Sequence, residues 1–304
     1  MAGILAETLA GVDVGEGVAA GSLTLFPLRW KAAAEPSDVA VLEEGIASGE
    51  VVVQEVGESG SVPDVFVENR LPKPLFILEG EEIVGAKQNR VFNISILVPA
   101  AANLKLPVSC VEQGRWFHKS HRFHTGARAS ARVQRDLKRS VSFSARQRPD
   151  RYVSDQLRVW NNVAEGLAAT DSVSASGAMS AAYEKRAADF EEIEKNVKLP
   201  GDCAGVVVAE GERVISVELL ADPSLWKRHE KRVLRSFLLE AMKADAKKRA
   251  ERKEAEAFLA SVGAMECSKS PSPGSGTQHR GDTEELAASA LEADGTVYHL
   301  SAIA

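Results

Sequence analysis

The residues best suited to chemistry lie in the stretch 80–90, which reads GEEIVGAKQNR between two apolar runs. Its polar side chains are two carboxylates, one lysine, two amides and one arginine: Glu81, Glu82, Lys87, Gln88, Asn89 and Arg90. Carboxylates can transfer protons or hold a divalent cation, whereas amides and arginine bind sugar hydroxyls and phosphates. The pattern therefore predicts a ligand-binding loop, and the alternative is a polar β-turn without a ligand.

A second stretch, 107–116, reads PVSCVEQGRW and ends in a glycine turn. On a strand, Cys110 and Glu112 would point to the same side, because side chains alternate along the chain. Cys110 is either a nucleophile or a small core residue. Arg115 is suited to phosphate, and Trp116 either stacks on a base or covers the core.

Three histidines, His118, His121 and His124, follow this turn. Together with Cys110 they could form a metal site. However, this spacing does not bring all three to one face of a helix, and no Cys-x-x-Cys pair accompanies them. The sequence therefore favours surface or phosphate-binding histidines, and no metal ligand is predicted.

Charge is distributed unevenly along the chain. Residues 115–151 contain eleven Lys and Arg against two Asp, a net charge of +9, while the whole chain carries −6, which leaves −15 for the remainder. The segment is either a solvated helical face or a site for a phosphate-bearing ligand. The acidic total argues against a general nucleic-acid binder.

The elements that must position these residues follow from hydrophobic periodicity. Alternating or β-branched apolar runs bounded by Pro and Asn predict strands, and a short helix is predicted over 38–47. The predicted strands are 22–30, 50–56, 65–68, 75–78, 91–98 and 104–111. Together they predict a mostly antiparallel β layer, either a sandwich or a partly open barrel.

The second half of the chain shows helical spacing. Helices are predicted over 128–139, 152–168 and 178–197, followed by a β-hairpin within 205–219. Asp222 and Pro223 then begin another helix, because Asp is a common N-cap and Pro a common first helical residue. The sequence thus predicts an α+β fold in which a helical segment with a small hairpin packs with the β layer as one domain.

Composition sets the boundaries of that domain. A flexible Gly- and Ala-rich N-terminus is predicted over 1–20, and one α+β domain over 21–245. The extension 246–304 is expected to contain a charged helix and a disordered Ser/Pro/Gly linker at 268–281. The residues 296–303 are compatible with a final strand.

Several protein classes are excluded at this stage. The longest apolar stretch, 92–108, is interrupted by polar residues and is too short for a membrane span. The N-terminus has no basic region typical of a secretory signal, and three cysteines suit a reducing compartment, so a cytoplasmic protein is expected. No nucleotide-binding, metalloprotease, hydrolase-elbow or kinase motif occurs, and the sequence assigns no cofactor and no oligomeric state.

The two polar stretches, together with RVFNISILVPA between them and the pattern GVVV…VISVELLADPSLW at 205–226, resemble the ARPP domain family. That name denotes an ADP-ribosylglycohydrolase and rhodanese-phosphatase associated domain. The resemblance spans roughly 21–244 and implies a single α+β domain associated with NAD and ADP-ribose metabolism, but no established reaction. The family motif that this sequence matches has polar positions at the candidate residues named above, and these positions include Glu81, Cys110 and Gln113.

The favoured hypothesis is therefore binding or processing of an ADP-ribose-like, NAD-like or other phosphorylated nucleotide, by a hydrolase if the protein is an enzyme. Glu82 and Glu112 are the predicted catalytic carboxylates. The predicted ligand-binding residues are Lys87, Gln88, Asn89, Arg90, Arg115 and Trp116. The alternatives are a non-catalytic nucleic-acid or partner-protein module that uses the basic segment 115–151, and an adaptor that uses the charged C-terminal helix.

Overall fold

The computed structural model describes residues 3–31, 37–57, 60–241 and 248–304. The chain forms two compact units. The terminal unit contains the described residues of 1–37, 186–269 and 278–304, and the central unit contains those of 38–185 and 270–277. Both helices and strands occur throughout, which confirms the predicted α+β class.

The terminal unit is built around a nine-stranded sheet with the strand order β1-β3-β13-β14-β18-β17-β16-β15, in which β2 also pairs with β3. Its strands are β1 (Val12–Val14), β2 (Val18–Ala20), β3 (Leu23–Trp30), β13 (Gly205–Glu210), β14 (Arg213–Leu220), β15 (Ser268–Pro271), β16 (Thr277–Asp282), β17 (Ala287–Ala293) and β18 (Thr296–Ile303). Its helices are α1 (Ile4–Ala10), α6 (Ala187–Glu194), α7 (Pro223–Ala241) and α8 (Arg252–Gly263).

Local sequence explains the centre of this sheet. Strand β13 is buried on both faces, which accounts for its continuous apolar run rather than an alternating pattern. The predicted β13–β14 hairpin is confirmed, with Gly205 opposite Leu219. The predicted start of α7 is confirmed as well, because the Asp222 carboxylate accepts a hydrogen bond from the Leu225 backbone N–H at 2.9 Å.

The central unit contains a six-stranded sheet, β12-β8-β9-β11-β6-β5, and a three-stranded sheet, β10-β7-β4. Its strands are β4 (Ala40–Val41), β5 (Val51–Glu55), β6 (Asp64–Asn69), β7 (Leu75–Ile77), β8 (Glu81–Gly85), β9 (Arg90–Phe92), β10 (Ile96–Val98), β11 (Ala102–Cys110) and β12 (Phe123–Arg128). Its helices are α2 (Leu42–Ser48), α3 (Ala131–Gln147), α4 (Gln156–Ala169) and α5 (Ser180–Lys185).

Strand β11 places the two polar stretches side by side. Its first six residues pair with β6, and its last three pair with β9, so that Cys110 lies opposite Arg90. Strand β8 pairs with β9 on one side and with β12 on the other. The stretch 80–90 is therefore two paired strands joined by a tight turn, not an open loop.

The structure differs from the sequence prediction at the N-terminus and at the Ser/Pro/Gly segment. Residues predicted to be flexible form α1, β1 and β2, and Leu5 is fully buried in the core of the terminal unit. Residues predicted to be a disordered linker form β15 and β16, which are the last two strands at one edge of the nine-stranded sheet, next to β17. Composition could not reveal this pairing, because small and polar residues form strands when a sheet edge is available. The final strand, by contrast, is confirmed as β18.

The helices also differ from the prediction in detail. The helix predicted over 178–197 is two helices, α5 and α6, separated at Arg186. The charged C-terminal helix begins only at Arg252 and buries Ala255, Leu259 and Val262 in the core. More of its surface therefore packs against the core than its composition suggested. The charged stretch begins in the sequence at Lys243, and its first residues, 243–247, lie outside the described residues.

None of the helices in the described ranges combines the length and the apolar character that a membrane span requires. The boundaries predicted for the single domain, 21–245, remain a prediction.

We expect Gly205→Ala to destabilise the protein by about 2 kcal/mol or more, a size typical of overpacking. A Cβ atom on residue 205 would lie 2.1 Å from the Glu218 carbonyl oxygen and 2.8 Å from the Leu219 Cα, both of which are backbone atoms of the paired strand. Gly201→Ala is the matched control, because a Cβ there would meet nothing within 4 Å. Urea denaturation should separate the two variants, and equal midpoints would contradict the steric argument.

Candidate functional site

The turn between β8 and β9 is held by the backbone conformation of two residues. Gly85 has φ 121° and Ala86 has φ 38°, so both occupy the positive-φ region that favours glycine. A Cβ on Gly85 would lie 2.4 Å from the Ser120 hydroxyl oxygen, which shows why a glycine is needed there. The Gly85 N–H donates to the Asn89 side-chain oxygen at 3.1 Å and closes the turn.

The Glu112 carboxylate is the centre of a hydrogen-bonded group that we call the Glu112 cluster. Its members are Gln88, Asn89, Glu112, Arg115 and Ser176. The carboxylate accepts the Asn89 backbone N–H at 2.9 Å, the Ser176 hydroxyl at 2.6 Å, and Arg115 Nε and Nη2 at 2.9 and 2.6 Å. Gln88 donates to the Glu112 backbone carbonyl at 3.0 Å.

These contacts determine the charge of Glu112. Burial raises its pKa, but hydrogen bonds from Arg115, Ser176 and Asn89 outweigh that effect and hold the pKa below its usual value. Glu112 is therefore an ionised, fully hydrogen-bonded carboxylate at neutral pH. Such a group is suited to positioning its neighbours and not to exchanging protons.

Arg115 is occupied by protein groups. In addition to Glu112, its Nη1 donates to the carbonyls of Ala86 and Phe117 at 2.6 and 3.0 Å, and its Nη2 donates to the Gly85 carbonyl at 3.1 Å. The sequence suggested that this side chain holds phosphate. The structure instead places it 5% exposed, where it fastens the β8–β9 turn to the end of β11.

Arg90 is likewise occupied. Its Nη2 donates to the Glu55 carboxylate at 2.7 Å, and its Nη1 donates to the carbonyls of Ser61 and Asp64 at 2.6 and 2.9 Å. The side chain is 0% exposed and its guanidinium lies 5.9 Å from the centre of the Trp116 ring. The sequence predicted that Arg90 binds phosphate. In the structure its charge is instead neutralised by Glu55.

Glu82 is the buried carboxyl whose hydrogen bonding is incomplete. Its Oε2 accepts the Ala127 N–H at 3.1 Å, while its Oε1 is buried with no hydrogen-bond partner among the described residues. Burial is the main cause that raises the pKa of Glu82 to about 7, and the negative charges of Glu112 and Glu184 add to it. Glu82 therefore changes its protonation state close to neutral pH.

Gly126 makes this close packing around Glu82 feasible. A Cβ on residue 126 would lie 2.6 Å from the Glu82 Oε2 and 2.7 Å from a methyl carbon of Val84. The glycine lets β12 approach the carboxyl group, whose own strand, β8, is paired with it.

Trp116 is the accessible part of the site. Its side chain is 45% exposed, and the Lys87 ammonium lies 5.5 Å from its ring centre. The Lys87 backbone N–H donates to the Glu55 carboxylate at 3.2 Å, which ties this lysine to the Arg90 pair. A half-exposed indole beside a cation provides a flat surface for an aromatic, negatively charged ligand.

The structure brings the predicted residues together with partners that the sequence did not reveal. Missed partners include Glu55, Ser176 and Gly126, none of which belongs to a recognisable motif. The predicted carboxylate Glu81 accepts the Leu78 N–H at 2.9 Å and closes a local turn. The position Gln113, carried over by resemblance, is exposed.

Cys110 and the histidines do not form a reactive or metal-binding group. Burial raises the pKa of the Cys110 thiol, which disfavours the thiolate that a nucleophile needs. The rings of His118 and His121 lie 6.4 Å apart. Within the ranges that the structure describes, no group of three His, Cys, Asp or Glu side chains could hold a metal ion.

Part of the basic segment 115–151 is buried and neutralised. The Lys138 ammonium donates to the Glu79 carboxylate at 2.5 Å, and Arg128 Nε donates to the Glu79 carbonyl at 3.0 Å. Arg132 forms an ion pair with Glu165. The predicted basic surface is therefore smaller than the net charge of the segment suggests.

The comparisons with known proteins agree with the sequence resemblance. The family described as the ARG and Rhodanese-Phosphatase-superfamily-associated Protein domain matches residues 11–303. The chain belongs to this ARPP family. The match extends beyond the 21–244 of the resemblance, as expected from a terminal unit that includes β1 and β18. The name of the family links it to a nucleotide-related context. No curated protein and no solved structure matches the chain.

The raised pKa of Glu82 predicts a pH-dependent stability of this ARPP domain. The folded state favours the protonated carboxyl, whose usual pKa is 4.5, so its stabilising effect is complete below about pH 4.5 and is lost as the pH rises through about 7. At about 1.4 kcal/mol per tenfold change in proton affinity, the loss amounts to roughly 3 kcal/mol. In the Glu82→Gln variant the side chain cannot ionise, so this loss of stability with rising pH should be absent.

The measurement is the free energy of unfolding in urea across this pH range. The difference between Glu82→Gln and the unmodified protein should grow as the pH rises, in favour of the variant. The exposed Glu68, whose pKa is lowered by Arg70, provides a control, because Glu68→Gln should follow the unmodified protein above pH 4.5. Parallel curves for Glu82→Gln would show that Glu82 is not protonated in the folded domain.

We also expect Arg115→Ala to destabilise the ARPP domain by about 3–5 kcal/mol, because it leaves the buried Glu112 charge without its partner. Arg70→Ala is the control, since it removes an arginine from the exposed pair with Glu68 and should leave the unfolding midpoint nearly unchanged. Thermal and urea unfolding would measure both. Equal effects would contradict the role of the Glu112 cluster in the fold.

Proposed function

We propose that the protein binds a phosphorylated nucleotide of the ADP-ribose or NAD type at the β8–β9 turn and hydrolyses it with Glu82 as the proton-transferring group. The observation that carries this proposal is the Glu82 carboxyl, which is buried, has one oxygen without a partner and has a pKa raised to about 7. Ordinary structural carboxylates are fully hydrogen-bonded and have low pKa values.

Proton transfer is most efficient when the pKa of the group lies near the working pH. At neutral pH Glu82 is present in both protonation states, so it can accept a proton from an attacking water or donate one to a leaving group. Glu112 supports this chemistry indirectly. Its fixed negative charge raises the pKa of Glu82, and its hydrogen bonds hold the turn 86–89 in place. Two carboxyl groups with diverging pKa values are typical of acid/base sites.

The ligand contacts in this proposal fall to Trp116 and Lys87. The exposed face of the Trp116 ring would stack on the base, and the neighbouring Lys87 ammonium would approach a phosphate. Gln88 and Asn89 would shape the turn against which the ribose packs. Arg90 would act as a positioning residue through Glu55, because its guanidinium is already bonded within the protein.

The family context supports the choice of ligand class, because the name of the family links its members to proteins associated with ADP-ribosylglycohydrolases. Thiol chemistry is not part of this proposal, because burial raises the pKa of the Cys110 thiol and disfavours it as a nucleophile.

The direct test is turnover of ADP-ribose and NAD by the purified full chain. Glu82→Gln should lower kcat by about 100-fold or more, the usual size for loss of a general acid or base, while the far-ultraviolet circular dichroism stays unchanged. Trp116→Ala should raise KM with a smaller effect on kcat. Glu68→Gln removes a solvent-accessible carboxylate that pairs with Arg70, and it should leave both constants unchanged.

Isothermal titration of ADP-ribose into the same proteins separates binding from chemistry. Binding without turnover would reduce the proposal to a binding module. The absence of both heat and turnover with ADP-ribose and NAD would contradict it altogether.

A further inference from the structure

A cleft of about 580 Å³ lies in the central unit, between the second half of α3 and the segment that leads into α4. The residues that matter for its chemistry are Arg139, Phe143, Arg148, Arg151 and Arg158. The volume is within the range typical of sites for small molecules the size of a nucleotide. None of its lining residues belongs to the β8–β9 turn or to the Glu112 cluster.

The cleft carries a positive charge. Four arginines line it against two aspartates, Asp136 and Asp155. The carboxylate of Asp136 accepts the Asn162 amide at 2.8 Å, and Asp155 caps α4 by accepting the Arg158 backbone N–H at 3.3 Å. Arg148 and Arg158 form surface ion pairs, with Asp150 at 3.8 Å and with Asp155 at 3.5 Å, but such exposed pairs are weak. Both arginine side chains are 66% exposed, so guanidinium donors remain accessible to an anion.

An exposed aromatic ring lies among these arginines. Phe143 is 59% exposed, whereas Phe26, Phe76 and Phe92 are at most 1% exposed. Covering an exposed phenyl ring gains the free energy of removing it from water, so an exposed ring within a concave site is suited to contact with a ligand. A flat ring surrounded by guanidinium groups matches a ligand that combines an aromatic base with phosphate.

The walls of the cleft are held in position by internal hydrogen bonds. The Ser144 hydroxyl donates to the Arg151 carbonyl and accepts the Val153 N–H, both at 3.0 Å. The Ser154 and Ser109 hydroxyls are 2.5 Å apart. These bonds tie the segment carrying the arginines to α3 and to β11, so the site is formed before a ligand arrives.

We propose that this cleft is a binding site for a nucleoside phosphate, with the phosphate bound by Arg148, Arg151 and Arg158 and the base resting on Phe143. The site is separate from the chemistry proposed for Glu82 and does not depend on it. A small ligand is favoured over a nucleic-acid strand, because a strand needs an extended basic track. The neighbouring candidates for such a track, Arg128 and Lys138, are buried and bonded within the protein.

The test is isothermal titration of ADP and of adenosine into the full chain. ADP should bind saturably and at least about tenfold more tightly than adenosine, since arginine–phosphate hydrogen bonds are the strong contacts. The double variant Arg148→Ala/Arg158→Ala should weaken ADP binding by about tenfold or more, and Phe143→Ala should weaken both ligands. Arg146→Ala, an exposed arginine of α3 that does not line the cleft, should leave the ADP affinity within about twofold.

Parallel titrations distinguish this site from the one at the β8–β9 turn. Glu82→Gln and Trp116→Ala should retain ADP binding in the cleft, whatever they do to turnover. Because ADP could also bind at Trp116, the double variant is also made in a Trp116→Ala background. ADP binding that survives there at unchanged affinity, or that is lost in Trp116→Ala alone, would overturn the proposal. It would also be overturned if ADP failed to bind at millimolar concentration, or if a single-stranded RNA bound tightly and lost its affinity in the double variant.

Discussion

The buried carboxylate of Glu112 is the constraint on which the site depends. Removing a charge from water costs several kcal/mol unless the charge is paired and hydrogen-bonded, so Glu112 requires Arg115, the Ser176 hydroxyl and the Asn89 N–H in place at the same time. Those groups come from the segment that follows β11, the loop before α5 and the turn between β8 and β9. The ionised Glu112 then adds a negative charge near Glu82, whose own burial already disfavours ionisation. One ion pair thus fixes the local geometry and helps to set the proton affinity of the neighbouring carboxyl.

The basic segment 115–151 serves two different physical purposes. Arg115, Arg128 and Lys138 are buried, and their donors are directed at carboxylates and backbone carbonyls of the β sheet. Their positive charges offset buried acidic groups and do not attract an external partner. Arg148 of this segment, together with Arg158 just beyond it, is largely exposed beside a cleft. The uneven charge along the chain therefore has two origins: buried basic residues that neutralise buried carboxylates, and exposed arginines that form a surface suited to anions.

The candidate residues could be chosen from the sequence, because amides and charged groups at close spacing in 80–90 are unusual between two apolar runs. Their roles could not be assigned in the same way. The partner of Arg90 is Glu55, which is 35 positions away, and the partner of Glu112 that completes its hydrogen bonds is Ser176, which is 64 positions away. Whether an arginine binds phosphate or neutralises a carboxylate depends on which group the fold brings to it. The same residue types and spacing are compatible with both outcomes.

Short-range interactions explain what the sequence by itself determined. The β13–β14 hairpin, the cap at Asp222 and the helical periodicity of α4 rest on contacts between residues close in the chain, so their patterns predicted them. The helix predicted over 128–139 is observed as α3, which spans Ala131–Gln147. Only the tertiary structure decided that β3 pairs with β13 and that β14 pairs with β18, because a strand can form the same backbone hydrogen bonds with many partners that are distant in the sequence. It also decided which charges are buried. A pKa near 7 at Glu82 arises from exclusion of water and from neighbours brought together by folding, and these are properties of the assembled chain, not of its order of residues.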